Sequence, residues 1–503
     1  MSDAPPTLLD LLRRFAGERP QATALLFGGD RLTFAELDRR SSQLANGLVS
    51  KGIRTGDRIA ILARNHPVFY ELLFAAMKIG AMMMPLNWRL SSAEVAAILA
   101  DGEAHLLLLD SELDCRADDL DIIPLGADFD TWVQAQPADD QSAQSARSEP
   151  SLLLYTSGTT GKPKGVMITP DNLSFVERTA REAWGFTADS VNLVAMPLFH
   201  IGGIGYGMMA LSQGGTTVLL RQPDPSDVVT AMRDHGATHG FFVPTVLERI
   251  LDHLEGSDAP PPTSLERLVY GAAPIGRSTL DRALRLLGCG FDHAYGMTET
   301  AGTVISLHPR DHLTGNDERL RSIGRPFPWV ELRLADPATG SDVAPGEVGE
   351  ILIRSEMVAH GYWRKPTETA AAIDADGWLH TGDAAIVDAE GYVTLVDRFK
   401  DMIVSGGENI YPREIENVLL THPQVADVAV IGLPHERWGE SPAAFVIAAG
   451  GETPVEADLR TFLRERLAHF KCPSLIRIVP ELPRNPSGKV LKGEMRKPEW
   501  WSR

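Results

Sequence analysis

Along its first 110 residues the chain alternates short apolar runs with amphipathic stretches, a rhythm that few folds accommodate. LLDLLRRFA spaces its apolar residues along one helix face, and LTFAELDRRSSQLANGL does the same with Thr33 near its cap. DRIAILA and LLLLD are brief β-rich runs, LLLLD with the look of a buried strand. Strands alternating with helices predict an α/β architecture with a largely parallel sheet. LLFAAMKIGAMMMPL, from Leu72, is the most apolar early segment, but Lys78 interrupts it and Pro85 ends it. It reads as a buried helix and strand, too short and broken to span a bilayer.

At 503 residues the chain exceeds what one hydrophobic core usually supports, so two or more domains are expected. VNLVAMPLFHIGGIGYG, TTVLL, THGFFVP, LERLVYGAAP and FDHAYGMTE continue the early rhythm. From Gly346, GEVGEILIRS and GWLHTGDAAIVDAEGYVTLVDR bring frequent turns and β-type alternation. DRFKD at Asp397–Asp401 is a charged interruption before a second compact region, in which EIENVLL, VADVAVIGLP, LRTFLRERLAHF and LIRIVPEL suffice for a small α+β domain. The tract QAQPADDQSAQSARSEP, Gln134 to Pro150, is too polar to bury a core and is expected to be an exposed, mobile connection.

The net charge of −19 argues against broad electrostatic binding to nucleic acid, which needs a basic face. Cys115, Cys289 and Cys472 form neither a metal-ligand spacing nor a disulfide framework, which fits a reducing compartment. MSDAPPTLLDLLRRF lacks the basic start and long apolar core of a secretion signal, so a cytoplasmic protein is expected.

The chemistry concentrates first in YTSGTTGKPKG, Tyr155–Gly165, which follows the apolar Leu152-Leu153-Leu154. Glycines let backbone N–H groups fold into a concave nest, hydroxyls add donors and lysine adds charge: a socket for phosphate oxygens. A nucleotide-kinase loop needs GxxxxGK[ST]; here Pro163 follows Gly161-Lys162, and Thr156 stands where the first Gly should be.

This loop resembles the signature loop of the acyl-adenylate-forming superfamily of acyl-CoA synthetases, peptide-synthetase adenylation domains and luciferases. The resemblance extends, in the family's order, to Tyr295-Gly-Met-Thr-Glu299, Thr381-Gly-Asp383, Asp397-Arg-Phe-Lys400, Ser405-Gly-Gly-Glu-Asn-Ile-Tyr-Pro412 and Pro483-Arg-Asn-Pro-Ser-Gly-Lys489. It implies a large multi-sheet N-terminal AMP-binding domain over 1–397, a hinge at 398–401 with Lys400, and a small mobile α+β C-terminal domain over 402–503. It also implies ATP, Mg2+ and coenzyme A as reactants: a carboxylate attacks the α-phosphate, pyrophosphate leaves, and a thiol then displaces AMP.

Carried over by resemblance, Thr156, Ser157, Gly158, Thr159, Thr160, Gly161 and Lys164 hold the β- and γ-phosphates. Glu299 is the magnesium ligand, with Thr156 as a second; a hard cation needs few protein ligands. Thr298 bonds the α-phosphate, while Tyr295, Gly296 and the stretch Gly271, Ala272, Ala273, Pro274 flank the adenine. Asp383 takes the ribose hydroxyls and Arg398 the ribose or phosphates. Lys489 delivers positive charge to the carboxylate and α-phosphate from the mobile domain, whereas nearby Lys492 reads as a solvated lysine. Gly406, Gly407 and Glu408 line the thiol tunnel, and Arg464 and Lys471 are candidates for the coenzyme's phosphates.

The acyl pocket is expected around His200, Gly203, Phe241, Val243 and Ala294, with Gly202, Gly203 and Gly205 of HIGGIGYG offering space. No Asp there pairs with an α-amino group, and AGTVISL after Glu299 is apolar, with no arginine placed for a second carboxylate. A hydrophobic monocarboxylic acid follows, either a medium- to long-chain fatty acid or a cyclic or aryl acid. The expected partners are therefore small molecules, with no nucleic acid and no membrane span; a homodimer stays open.

Overall fold

The computed structural model describes residues 5–115, 120–140, 147–156, 163–257, 260–273, 275–313, 316–405, 408–450, 453–484 and 490–501. The chain divides into two compact units, Met1–Asn316 with Pro326–Glu331 and Arg354–Leu379, and Asp317–Arg325 with Leu332–Ile353 and His380–Arg503.

The first unit is α/β, built on two sheets. In one, the strands run in the order Gly361–Tyr362, Lys164–Ile168, Leu152–Thr156, Met82–Leu86, Arg58–Leu62, Ala104–Asp110 and Asp121–Leu125. From Leu152–Thr156 onward neighbours are parallel, while Lys164–Ile168 and Gly361–Tyr362 are antiparallel additions. Every residue of RIAIL and MMMPL is buried, as strands covered by helices on both faces require. The other sheet places Gly290–Met297, Arg267–Gly271, His239–Phe242, Val191–Val194, Thr216–Leu219 and Thr23–Phe27 in parallel, bounded by antiparallel Gly302–Leu307 and Asp30–Thr33.

Local signals explain the helices. Thr33 caps Phe34–Ser50 through a reciprocal bond with Glu36, and Thr7 with Asp10 does the same for Leu8–Glu18. The segment from Leu72 divides into the end of helix Val68–Ile79, left-handed Gly80 and strand Met82–Leu86. Lys78, which breaks its apolar run, is 1% exposed and bonded to Asp38 at 2.6 Å and to the Ser42 hydroxyl. No helix among the described residues is long and apolar enough to cross a membrane.

The polar tract after Gln134 is exposed as expected, but its described part is tied down rather than loose. Gln43 donates to the carbonyls of Gln134 and Gln136, and Asn46 to those of Pro137 and Asp139. Arg147, beyond the undescribed 141–146, pairs with Asp171. Buried amides on one helix thus replace the core that the tract cannot form.

In the second unit, Glu331–Ala335, Gly349–Arg354, Leu379–Val387 and Val393–Arg398 form a four-stranded sheet. The C-terminal part is the α+β region read from the sequence: Glu408–Ile410, Ile403–Ser405, Gly439–Ala448 and Val425–His435 in that order, with Leu475–Ile478 beside Gly439–Ala448. Helices Pro412–Leu419 and Glu456–Arg464 add Ile415, Leu419, Leu459 and Leu463 to its core. The contact-defined units thus group the four-stranded sheet, Asp383 and Arg398 included, with the C-terminal strands. Lys492 corrects the expectation of a solvated lysine: it is 17% exposed and pairs at 2.8 Å with Glu416, which is itself buried and accepts from the Val430 N–H. Burial of Glu416 supplies the reason, since a buried carboxylate needs a counter-charge.

Candidate active site

The first unit gathers one group of the expected residues. Strand Leu152–Thr156 and strand Lys164–Ile168 are antiparallel, with Thr156 opposite Lys164, so the two bracket the segment expected to bind phosphate. Ser157, Gly158, Thr159, Thr160 and Gly161 lie outside the described residues. Tyr155, just before them, is anchored by a 2.7 Å bond from its hydroxyl to Asp101, which Lys365 also engages.

Glu299 sits in a short 3-10 turn, Thr298–Thr300, between strands Gly290–Met297 and Gly302–Leu307. The turn is tight for two reasons. A side chain at Gly296 would lie 2.0 Å from the Gly302 carbonyl oxygen, and Ala301 adopts a left-handed φ of 50°. Thr300 caps it: the Thr300 hydroxyl accepts from the Met297 N–H and donates to the carbonyls of Met297 or Gly302. That leaves the half-buried Thr298 and Glu299 with no capping duty. The Glu299 backbone carbonyl accepts from Ala359 N–H, and its Oε1 accepts from the Tyr362 hydroxyl at 2.8 Å. Lys164 Nζ lies 4.8 Å from the centroid of the same Tyr362 ring. Sequence reading missed Tyr362; its only local signal is the Gly361-Tyr362-Trp363 triplet, because its neighbours come from chain segments 63 and 198 residues earlier.

The expected adenine wall is partly described. Gly271 ends strand Arg267–Gly271, where a Cβ would meet the Ala294 carbonyl oxygen at 2.5 Å, and Ala272 turns the chain with a left-handed φ of 63°. Ala273 follows it, and Pro274 lies outside the described residues. Tyr295 and Gly296 flank a register shift in strand Gly290–Met297.

Around the expected acyl pocket, His200 precedes helix Ile201–Gly207, and its ring lies 4.5 Å from Phe199. Its Nε2 is buried with no hydrogen-bond partner among the described residues. Burial, with Arg89 nearby, lowers its pKa to about 4, so the imidazole is neutral. Gly202 faces the Phe241 ring, whose centroid is 5.4 Å from that of Tyr206. Tyr206 in turn packs on Trp184 and Phe186, and its fully buried hydroxyl also lacks a partner among the described residues. Val243 leads into helix Pro244–Glu255, and Ala294 is buried on its strand. One of the expected space-making glycines is filled instead: a Cβ on Gly203 would meet the Pro197 carbonyl oxygen at 1.9 Å, and one on nearby Gly207 would meet the Tyr70 hydroxyl at 2.4 Å. Close approach of backbone, not open volume, is what glycine provides at both.

The second unit gathers the other group. Asp383 and Arg398 are directly opposed across two antiparallel strands, with Arg398 Nε 3.0 Å from Asp383 Oδ1. The preceding threonine and glycine explain how this position is held. The Thr381 hydroxyl donates to the Ile351 carbonyl and accepts from Asp383 N–H, while left-handed Gly382 donates its N–H to Glu350. Next in sequence to Arg398, Asp397 accepts from the N–H groups of Arg398 and Arg413, and burial raises its pKa. Lys471 is occupied by a 2.7 Å ion pair with Glu414, and Arg464 is exposed at its helix end. Glu408 opens an exposed strand end. Gly406, Gly407, Lys489 and the Lys400 side chain lie outside the described residues.

Residues 12–363 match the family model described as AMP-binding enzyme, and 414–489 the AMP-binding enzyme C-terminal domain. The chain is 38% identical to a fatty acid–[acyl-carrier-protein] ligase of Streptomyces coeruleorubidus, over 98% of this chain and 96% of that protein. It is 41% identical to a feruloyl-CoA synthase of an Amycolatopsis species, over 96% and 97%. Among solved structures, o-succinylbenzoate CoA synthetase from Bacillus subtilis, in complex with its acyl-adenylate intermediate, superposes with a TM-score of 0.87 at 32% identity, over 99% of each chain.

Proposed function

Since the chain belongs to the AMP-binding enzyme family, we propose that it is an ATP-dependent, AMP-forming acid–thiol ligase with the following division of labour. A carboxylate is a poor electrophile, and exchanging its oxygen for the phosphate of AMP makes a good leaving group. The first half-reaction concentrates negative charge on phosphate; the second places it on a tetrahedral oxyanion at the acyl carbon. Fixed donors and cations aimed at those charges supply the catalysis.

The observation that carries this reading is Glu299, held by Tyr362 with the Lys164 ammonium over the same ring. One Glu299 oxygen is used by the phenol, which leaves the other for a cation. No group of three His, Cys, Asp or Glu side chains that could hold a metal occurs among the described residues. That donor set fits Mg2+ bound mainly by phosphate oxygens, with Glu299 and Thr156 completing its shell. When bound, Mg2+ neutralises phosphate charge. The chain's own residues do the rest. Lys164 and the loop donors bind the leaving pyrophosphate, Thr298 bonds the α-phosphate, and Gly271, Ala272, Ala273, Tyr295 and Gly296 flank the base. Asp383, with Arg398 beside it, accepts from the ribose hydroxyls. Lys489 brings a point charge to the carboxylate during adenylation and is withdrawn for thiol entry past Gly406 and Gly407. Neutral His200, with its Nε2 unpartnered, is suited to donate a hydrogen bond to the acid's carboxylate.

The acid is a hydrophobic monocarboxylic acid. A medium- to long-chain fatty acid agrees with the apolar run after Glu299 and with the fatty acid-using relative. An aryl acid is the second reading: Phe241, Phe186 and Trp184 cluster around the Tyr206 ring, with Gly202 against Phe241, and a feruloyl-CoA synthase is 41% identical. Coenzyme A is the acceptor, with a carrier-protein thiol as its rival.

The test is pyrophosphate release from Mg-ATP with a panel of alkyl and aryl acids, first without thiol and then with coenzyme A. Acid-dependent release, followed by thioester on adding coenzyme A, is expected; no release with any acid would refute the reading. Lys489→Ala should abolish release yet leave thioester formation from preformed acyl-AMP within a fewfold, and equal loss in both would refute its assignment to the first step.

A further inference from the structure

We propose that Tyr362 is a positioning residue for nucleotide activation: its hydroxyl fixes one oxygen of Glu299 while its ring seats the Lys164 ammonium. One side chain thereby sets both the cation ligand and the lysine at the phosphate loop. This rests on the nucleotide-site reading above and adds to it a residue that no motif of the sequence marks.

Strand pairing, a hydrogen bond to the Glu299 backbone and a constrained glycine place Tyr362 there. The segment from Ala359 to Trp363 bridges both parts of the site: Ala359 N–H donates to the Glu299 carbonyl, His360 N–H to Met167 and Trp363 N–H to Gly165. Gly361 and Tyr362 pair with Met167 and Val166 on the strand that leaves the phosphate loop. Gly361 must be glycine, because its φ is 126° and a Cβ would stand 2.5 Å from Thr369 Cγ2. Thr369 in turn accepts from the Tyr362 N–H, so the backbone of Tyr362 is fixed on both sides.

The chemistry follows from the contacts. A phenol donating to a carboxylate stabilises it without neutralising it, whereas an arginine there would compete with the cation. The Lys164–ring distance of 4.8 Å lies within reach of a cation–π attraction, which restrains the ammonium while leaving its three N–H donors for phosphate. Glu299 would otherwise swing among rotamers, and Lys164 would sample solvent.

Calorimetric ATP binding to the full chain, with Mg2+ and with EDTA, separates this role from simple packing. Tyr362→Phe keeps the ring and removes the hydroxyl, so binding with Mg2+ should weaken about tenfold, the loss of one hydrogen bond to a charged group. Binding without Mg2+ should stay within about twofold, and the Mg2+ concentration for half-maximal pyrophosphate exchange should rise by a similar factor. In a Glu299→Ala background the same substitution should cost nothing more, because the acceptor of its hydrogen bond is gone. Tyr362→Leu, which also removes the ring, should weaken Mg2+-free ATP as well. An unchanged ratio of Mg2+-dependent to Mg2+-free affinity in Tyr362→Phe, or an undiminished cost in the Glu299→Ala background, would overturn the inference and leave the nucleotide site standing. Absence of Mg-ATP binding by the wild-type chain would overturn both together.

Discussion

Each of the two units holds one carboxylate proposed for the nucleotide site, and they treat it oppositely. In the first, Glu299 is met by a neutral phenol, with a lysine held on that phenol's ring 4.8 Å away. In the second, Asp383 is met by a guanidinium 3.0 Å away, across a strand pair. A carboxylate bonded to a phenol keeps its charge and its affinity for a cation. One paired with arginine has spent that charge and is left as a hydrogen-bond acceptor, which suits uncharged sugar hydroxyls. The difference fits the roles proposed for them, the first toward the cation and the phosphates and the second toward the ribose.

The contrast breaks most readily at Glu299. Glu299→Gln keeps size and hydrogen bonding but removes the charge, so kcat/KM for ATP–pyrophosphate exchange should fall about 10²- to 10³-fold. The half-buried side chain should leave thermal stability within about 1 kcal/mol. A loss below tenfold would remove the cation role. Asp383→Asn should act next most strongly, raising KM for ATP about tenfold or more with an unchanged Mg2+ requirement. Because Asp383 is 11% exposed and Arg398 stays behind, that substitution should also cost about 1–3 kcal/mol in urea unfolding. Equal sensitivity of the two variants to Mg2+ would erase the distinction between the units.

The smallest expected effect sharpens the comparison through pH. His200 and His239, both in the first unit, have pKa values lowered to about 4, chiefly by burial, against about 6.5 when unfolded. Between those values the folded state binds fewer protons, so stability should be full above about pH 6.5 and decline toward pH 4. Unfolding midpoints at pH 7.5 and 4.5 check this, and His239→Gln should flatten the decline. A neutral His200 also predicts no limb near pH 6.5 in the adenylation rate, and such a limb would argue for a charged imidazole.

What sequence could supply depended on how far apart the cooperating residues lie. Thr33 with Glu36, and the apolar runs RIAIL and MMMPL, act within a few residues, so periodicity and capping exposed them. The phosphate-loop strand, the Glu299 turn and the Thr381-Gly382-Asp383 turn were legible as motifs. Their partners were not: Tyr362 reaches Glu299 only through pairing of distant strands, and Asp383 meets Arg398 only by register. Gly203 was misjudged because a glycine signals either space or close backbone approach, and only the Pro197 carbonyl decides between them. Lys492 looked like a surface lysine until Glu416 supplied a buried counter-charge.

The account rests on a carboxylate oxygen attacking the α-phosphate of ATP, and oxygen tracing tests that attack directly. A substrate acid labelled with 18O in its carboxylate, turned over with Mg-ATP and coenzyme A, should deliver one labelled oxygen to AMP and none to pyrophosphate. Label appearing in pyrophosphate or inorganic phosphate, or ADP as the nucleotide product, would contradict it.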